Sequence, residues 1–336
     1  MNMSTGLDAK SQNTPDKTVT YAVPQQRVID GILGLCVGDA LGVPVEFISR
    51  EQLRVKPVTT MQEYGTYNRP RGTWSDDSSM TLCLFDCLSK RPAENIEYTR
   101  IMDAFSAWIF HGEYTPYGDT FDYGRATQHA LLRYRQGTAP LQCGGTADSD
   151  NGNGSLMRIL PMAFWLYPRY GTKFFRNDAA VRTVHAVSSL THAHPKSLIA
   201  CAIYTGIACN LLGGISVGQA VRRAIAAAWK YYEKSEFSAY LAVFQRLHEP
   251  DFKKLPEHEI QSSGYVVHTL EAALWCLLNT RKYASCVLKA VNLGADTDTT
   301  AAVAGGLAGL AYGSGAIPEE WRAVLARREW IEGLCR

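Results

Sequence analysis

Residues 292–309 read NLGADTDTTAAVAGGLAG. Two carboxylates, Asp296 and Asp298, stand immediately before an uncharged run covering residues 299–317. That run is about long enough to cross a bilayer. Gly, Ala, Ser and Thr dilute it, however, and it reads as a helix buried in a protein core. A second uncharged stretch, 198–217, is interrupted by Asn210 and reads the same way, so no membrane association is expected. Helical signals continue outward from these two runs. Ile101, Met102, Phe105, Trp108 and Ile109 fall on one helical face. Ser216 and Gln219 form a capping box ahead of Val217, Ala220, Val221 and Ala224. Pro318, followed by Glu319 and Glu320, suits the first turn of a last helix. Period-two strands are scarce, and the short candidate at 55–61 is isolated. The expected fold class is all-α, with roughly a dozen helices in one compact multi-helix domain over residues 24–336.

The composition agrees with such a domain. The chain has 336 residues, 46% of them hydrophobic, which is ample for a large core. Its 34 basic and 32 acidic residues leave a net charge of +2. Without a long basic run, no nucleic-acid partner is expected. Nine cysteines are scattered singly with no CxxC pair, which fits a reduced, cytoplasmic protein better than a disulfide framework. Residues 1–23 are polar and mixed in charge and lack the apolar run of a secretory signal. They read as a flexible N-terminal arm. Segments 114–123 and 142–154 are rich in Gly, Asp and Thr and read as long loops, where function often resides.

The chemical signal is a pair of acidic clusters about 220 residues apart. The first is Ser75, Asp76, Asp77 and Ser78; the second is Asp296, Asp298 and Thr299. Each precedes an apolar helix, where a carboxylate caps backbone N–H groups and complements the helix dipole. Capping needs one acid, yet each cluster carries two acids plus hydroxyls. Adjacent carboxylates repel, and a cation between them relieves that repulsion. Oxygen donors without a neighbouring Cys or His set select a hard ion, Mg²⁺ or Mn²⁺. Four carboxylates suffice for two such ions.

These residues resemble the ADP-ribosylglycohydrolase family. The resemblance runs in order through GLCVGDALGVPVEF (34–47), TWSDDSSMT (73–81), FDYG (121–124), GNGSLMRILPMA (152–163), THAHP (191–195), GYVVHTLEAALW (264–275) and NLGADTDTTAAVAGGLAG (292–309). It covers roughly 27–325, and its strength lies in seven fragments in register. It implies an orthogonal all-helical domain around a binuclear metal cleft. Two divalent cations, Mg²⁺ or Mn²⁺, are implied, on Ser75, Asp76, Asp77, Asp296, Asp298 and Thr299. Serine stands at 75 where the family usually has threonine, which keeps the hydroxyl. By the same resemblance Glu46 and Asp122 are the catalytic carboxylates. Asn153, Gly154, Ser155, Met157 and Tyr265 line the substrate side, with Gly154 and Ser155 opening the helix that contains Met157. The small residues of 151–159 let backbone N–H groups approach a diphosphate, and Tyr265 offers a stacking face for adenosine.

The implied activity is metal-dependent removal of ADP-ribose from modified protein side chains, arginine first, reversing an ADP-ribosyltransferase. The ions would bind ribose hydroxyls and a water, and a carboxylate would assist proton transfer. His192 and His194 read as structural, hydrogen-bonded histidines, and Arg158 meets either a phosphate or a carboxylate. The competing class is a partner-binding immunity module that blocks a toxin transferase through the 1–23 arm. Intact SDDS, Glu46 and DTDTT argue against an inactive site. Another metal-assisted hydrolase, such as a phosphatase, would share the metal dependence but not the released product.

Overall fold

The computed structural model describes residues 21–90 and 95–336. Fifteen α-helices follow one another along these residues: α1 (Gln25–Gly42), α2 (Arg50–Val55), α3 (Asp76–Ser89), α4 (Tyr98–His111), α5 (Arg125–Arg135), α6 (Pro161–Tyr170), α7 (Asp178–Ser189), α8 (Pro195–Leu212), α9 (Val217–Tyr232), α10 (Gln245–His248), α11 (Val266–Leu278), α12 (Tyr283–Val291), α13 (Thr297–Tyr312), α14 (Glu319–Val324) and α15 (Arg328–Leu334). No β-strand occurs among the described residues, only two isolated bridges, Gly145 with His192 and Gly152 with Tyr265. The all-α expectation holds.

The central contact is α1 against α13. Glycines 34, 38 and 42 recur every fourth residue and so share one face of α1. A Cβ at Gly38 would lie 2.2 Å from the Ala301 carbonyl oxygen, and one at Gly42 would lie 2.2 Å from Asp298 Cα. Any side chain there would force the helices apart, so hydrogen at these positions is what lets the two backbones touch. Thr297 Oγ1 donates to the Gly42 carbonyl at 2.8 Å, and Tyr283 Oη to the Gly34 carbonyl at 2.6 Å. The end of α1 is thereby fixed against the start of α13. Helix α13 is buried at every position from Thr297 to Leu310, and α8 from Ser197 to Leu211. These are the two uncharged runs of the sequence, enclosed in one hydrophobic core. Two helical stretches are long and apolar enough to cross a membrane, Gln25–Val45 and Pro195–Leu212, and both are mostly buried in this core.

Several local expectations need correction. Ser216 is the N-cap of α9 but its side chain makes no capping bond. A capping box forms instead at α2, between Ser49 and Gln52. Pro318 precedes α14, which is followed by α15 and so is not the last helix. Residues 56–61 form no strand. Met157 lies in a succession of turns ahead of α6 rather than in a helix opened by Gly154 and Ser155. Of the expected arm, Tyr21 donates its backbone N–H to the Pro168 carbonyl at 2.9 Å, and its ring lies 5.6 Å from that of Tyr167. Residues 1–20 lie outside the described residues.

Candidate metal centre

The site grows from the first turn of α3. Ser75 is its N-cap, and Asp76 and Asp77 are in its first turn. The carboxylate that satisfies this turn comes from another helix. Asp39 of α1 accepts the Ser75 N–H at 2.9 and 3.0 Å, the Ser78 N–H at 3.0 Å and the Ser78 hydroxyl at 2.5 Å. With Asp39 filling that role, Asp77 is released from it. Both Asp77 oxygens are buried and have no hydrogen-bond partner, as do Asp296 Oδ1 and Asp298 Oδ2. A buried carboxylate oxygen left unpaired costs free energy that capping cannot explain.

Two groups of carboxylates converge around Asp298. Ligand atoms of Asp39, Asp77 and Asp298 lie within 4.8 Å of one another, and so do those of Glu46, Asp122 and Asp298. Asp298 is common to both groups. The donors are all oxygens, which suits Mg²⁺ or Mn²⁺. Asp39 positions the first turn of α3 through the hydrogen bonds it accepts and also stands within ligand distance of Asp77 and Asp298. Asp296 Oδ2 accepts from Asn153 Nδ2 at 2.8 Å. Ser75 Oγ accepts the Asp77 N–H at 3.4 Å, and the Thr299 N–H donates to Asp298 Oδ1 at 2.9 Å. On the open side, Tyr67 Oη donates to Glu46 Oε2 at 2.6 Å. The Tyr67 ring also packs 5.0 Å from Phe121, the neighbour of Asp122. Tyr67 thus joins the two loops that carry Glu46 and Asp122.

The expected substrate segment borders this cluster. The Asn153 N–H donates to the Gly264 carbonyl at 3.0 Å and the Val266 N–H to the Asn151 carbonyl at 3.1 Å. This short antiparallel contact sets Tyr265 beside Gly152. A Cβ at Gly264 would stand 3.2 Å from Asp296 Oδ2, so the segment and the acids are neighbours. Two expected residues turn away. Ser155 is fully buried, with its hydroxyl against Cys201 Sγ at 3.4 Å and accepting from Ser188 Oγ at 2.8 Å. Met157 is buried in the core. Their side chains support the turn rather than face a ligand. Asn153 holds Asp296 and Thr269 in place, and Gly154 backs onto the His192 ring, which a Cβ there would meet at 2.8 Å.

A sequence model of the ADP-ribosylglycohydrolase family matches residues 20–336. The chain belongs to the ADP-ribosylglycohydrolase family. It is similar to the ADP-ribosylarginine hydrolase Tri1 of Serratia proteamaculans, with 31% identity over 329 residues, covering 96% of this chain and 81% of that one. It is also similar to the ADP-ribosyl-[dinitrogen reductase] glycohydrolase of Rhodospirillum rubrum, at 29% identity over 89% of this chain and 90% of the relative. A solved structure described as an ADP-ribosylglycohydrolase-related protein complex superposes with a TM-score of 0.74 at 30% identity, covering 93% of this chain and 96% of the other. The protein is therefore a glycohydrolase enzyme.

Around the glycohydrolase centre the histidines and Arg158 are structural. His192 is buried with Nδ1 2.8 Å from Thr191 Oγ1, and burial pushes it down to about 3. His194 Nδ1 accepts from the Lys196 N–H at the start of α8, and its Nε2 lies 3.2 Å from Asp148. Arg158 is fully buried, and among the described residues it forms no ion pair with a carboxylate. Its guanidinium donates to the Gly154 and Val187 carbonyls and lies 4.9 Å from the Phe105 ring.

Burial raises Asp76, Asp77 and Asp298 well above the ordinary carboxylate range, and the neighbouring carboxylates add to the rise. Burial, then Asp122, pushes Glu46 up to about 9. Asp39 rises to about 7 through burial, against the hydrogen bonds it accepts. Each group binds its proton more tightly folded than unfolded. The metal-free glycohydrolase therefore gains stability as pH falls from about 9 toward the ordinary carboxylate range of about 4. A divalent cation bound on Asp77 and Asp298 would take the place of their protons. The Tm rise on adding Mg²⁺ is thus expected to be larger at about pH 8.5 than at about pH 5.5. Differential scanning fluorimetry checks this, and an equal rise at both values counts against a cation on these carboxylates.

Proposed function

We propose that this glycohydrolase hydrolyses the bond between ADP-ribose and an arginine side chain of a modified protein, with Mg²⁺ or Mn²⁺ ions on Asp76, Asp77, Asp296 and Asp298. Ser75 and Thr299 supply the neighbouring hydroxyls. The carrying observation is the set of buried, unpartnered oxygens of Asp77, Asp296 and Asp298, with Asp298 within ligand distance of Asp77 in one group and of Glu46 and Asp122 in another. The arginine linkage is favoured by similarity to two ADP-ribosylarginine hydrolases Tri1, from Serratia proteamaculans and Pseudomonas putida, each 31% identical.

Divalent ions at this site would polarise the ribose hydroxyls and a water and offset the carboxylate charge. The protein's own residues do the rest. Gly152 and Asn153 hold the segment that borders the acids, and Tyr265 offers its half-buried ring beside them. Tyr67 holds the Glu46 carboxyl in one orientation. With its proton affinity raised by burial, Glu46 can keep a proton near neutrality and pass it to the leaving guanidine nitrogen. In the net reaction the C1–N bond of the ribose breaks and a water oxygen bonds to C1. One water proton is transferred, directly or through a carboxylate, to the leaving nitrogen. The products are ADP-ribose and unmodified arginine.

The test is release of ADP-ribose from arginine-ADP-ribosylated protein, followed by chromatography of the nucleotide. Release with Mg²⁺ is expected to fall by more than about 100-fold in EDTA and to return on adding Mg²⁺ or Mn²⁺. Undiminished release in EDTA would remove the metal from the reading. Release of inorganic phosphate in place of ADP-ribose would identify a phosphatase.

A further inference from the structure

Phe47 follows Glu46 directly and is unusual in two respects. Its side chain is 68% exposed, although phenylalanine is usually buried. Its backbone is also left-handed, with φ +64°, a region a bulky residue enters only when its surroundings hold it there. Here they do. The Phe47 N–H donates to the Ala295 carbonyl at 2.7 Å, and the Ala295 N–H donates to the Ile48 carbonyl at 2.9 Å. Ala295 is itself left-handed at φ +60°, and it precedes Asp296. The strained pair therefore ties the Glu46 loop to the second acidic cluster. The Phe47 ring stands edge-on to Tyr67, with centroids 6.5 Å apart, and the Tyr67 hydroxyl holds the Glu46 carboxylate. An exposed aromatic ring thus stands one residue from the Glu46 carboxyl group and against the tyrosine that holds it.

Resting on the arginine reading above, we propose that Phe47 is the acceptor-side platform, whose ring stacks on the guanidinium that leaves and selects this planar cation over a neutral, oxygen-linked acceptor. A delocalised cation is attracted by the face of an aromatic ring, and a guanidinium stacks flat on such a face. An ester or ether oxygen gains neither contribution. Phe47 acts by binding the acceptor and takes no part in proton transfer.

The experiment compares Phe47→Ala, Phe47→Leu and Phe47→Trp with the wild type. All four residues bear a Cβ and pay the same left-handed backbone cost, so only the ring changes. The substrates are ADP-ribosylated agmatine, which carries the guanidinium, and O-acetyl-ADP-ribose, which does not. Inhibition by free ADP-ribose is measured alongside. Phe47→Ala and Phe47→Leu are expected to raise KM for the agmatine substrate by about tenfold, and Phe47→Trp to retain the wild-type value. The preference for agmatine over the ester should narrow by the same factor, while inhibition by ADP-ribose stays constant. A wild-type KM in Phe47→Leu would overturn the proposal, because an apolar contact would then suffice. A parallel loss of ADP-ribose inhibition would also overturn it, by placing Phe47 on the nucleotide side. Failure of the wild type to cleave any arginine-linked substrate overturns the functional reading as well. Cleavage by the wild type with an unchanged KM in Phe47→Ala overturns this inference alone.

Discussion

Asp298→Ala is expected to abolish ADP-ribose release while leaving the metal-free protein at least as stable as the wild type. Asp298 belongs to both groups of convergent carboxylates, so its removal disturbs every cation position that the cluster offers. Loss of a partner one shell out from a metal costs roughly 10–100-fold in activity or affinity, and a shared ligand should exceed about 100-fold. The stability side follows from burial. Asp298 is 1% exposed and one of its oxygens has no partner. Deleting it removes an unsatisfied buried group together with its repulsion of Glu46 and Asp77. Thermal denaturation in EDTA should show no fall in Tm, and the Tm rise given by Mg²⁺ should shrink or vanish. Substantial activity in the variant would remove Asp298 from the centre. A large fall in metal-free Tm would show that its carboxylate holds the fold together.

Gly38→Ala is expected to do the opposite, removing stability first and activity as a consequence. A Cβ at this position would stand 2.2 Å from the Ala301 carbonyl oxygen and 2.7 Å from its carbon. Both are backbone atoms in the middle of α13, so no side chain can swing aside. Relief requires the two helices to part, which breaks the contact between Gly42 and Asp298 at the end of the same seam. The expected cost is on the order of 3 kcal/mol, at the upper end for overpacking in a dense core. Urea denaturation followed by far-UV circular dichroism measures it. A midpoint within error of the wild type would show that α1 and α13 are not packed backbone to backbone.

These two positions also show how far the sequence could be read. Asp298 was legible because two acids and two hydroxyls crowd the start of an apolar helix, more than capping requires. The same reasoning singles out Asp76 and Asp77, of which Asp77 falls in a convergent group, and the uncharged runs are recognisable as core helices. Asp39 is marked only as a lone carboxylate within ILGLCVGDALG, a charge on an otherwise apolar helix that needs partners. Those partners, Ser75 and Ser78, sit 36 and 39 residues further along the chain, and a distance in sequence carries no trace of a hydrogen bond. The glycines at 34, 38 and 42 were legible in their spacing and were not used. Tyr67 had no signal, because it lies in an irregular loop with no period to place its hydroxyl on Glu46. Ser155 and Met157 were drawn to the ligand by their place in a glycine-rich motif. Motif membership does not say which way a side chain turns, and both turn inward.

The contact between Gly42 and Asp298 has a consequence for biosynthesis. A ribosome adding about 5–20 residues per second needs on the order of tens of seconds to travel from one of these residues to the other. Throughout that interval the glycine face of α1 has no partner, because the helix it packs against has not been translated. A nascent chain halted anywhere before Asp296 lacks both Asp296 and Asp298. Premature termination therefore yields fragments without the second acidic cluster, with an apolar helix left for chaperones to shield. Catalytic competence waits on the codons for Asp296 and Asp298.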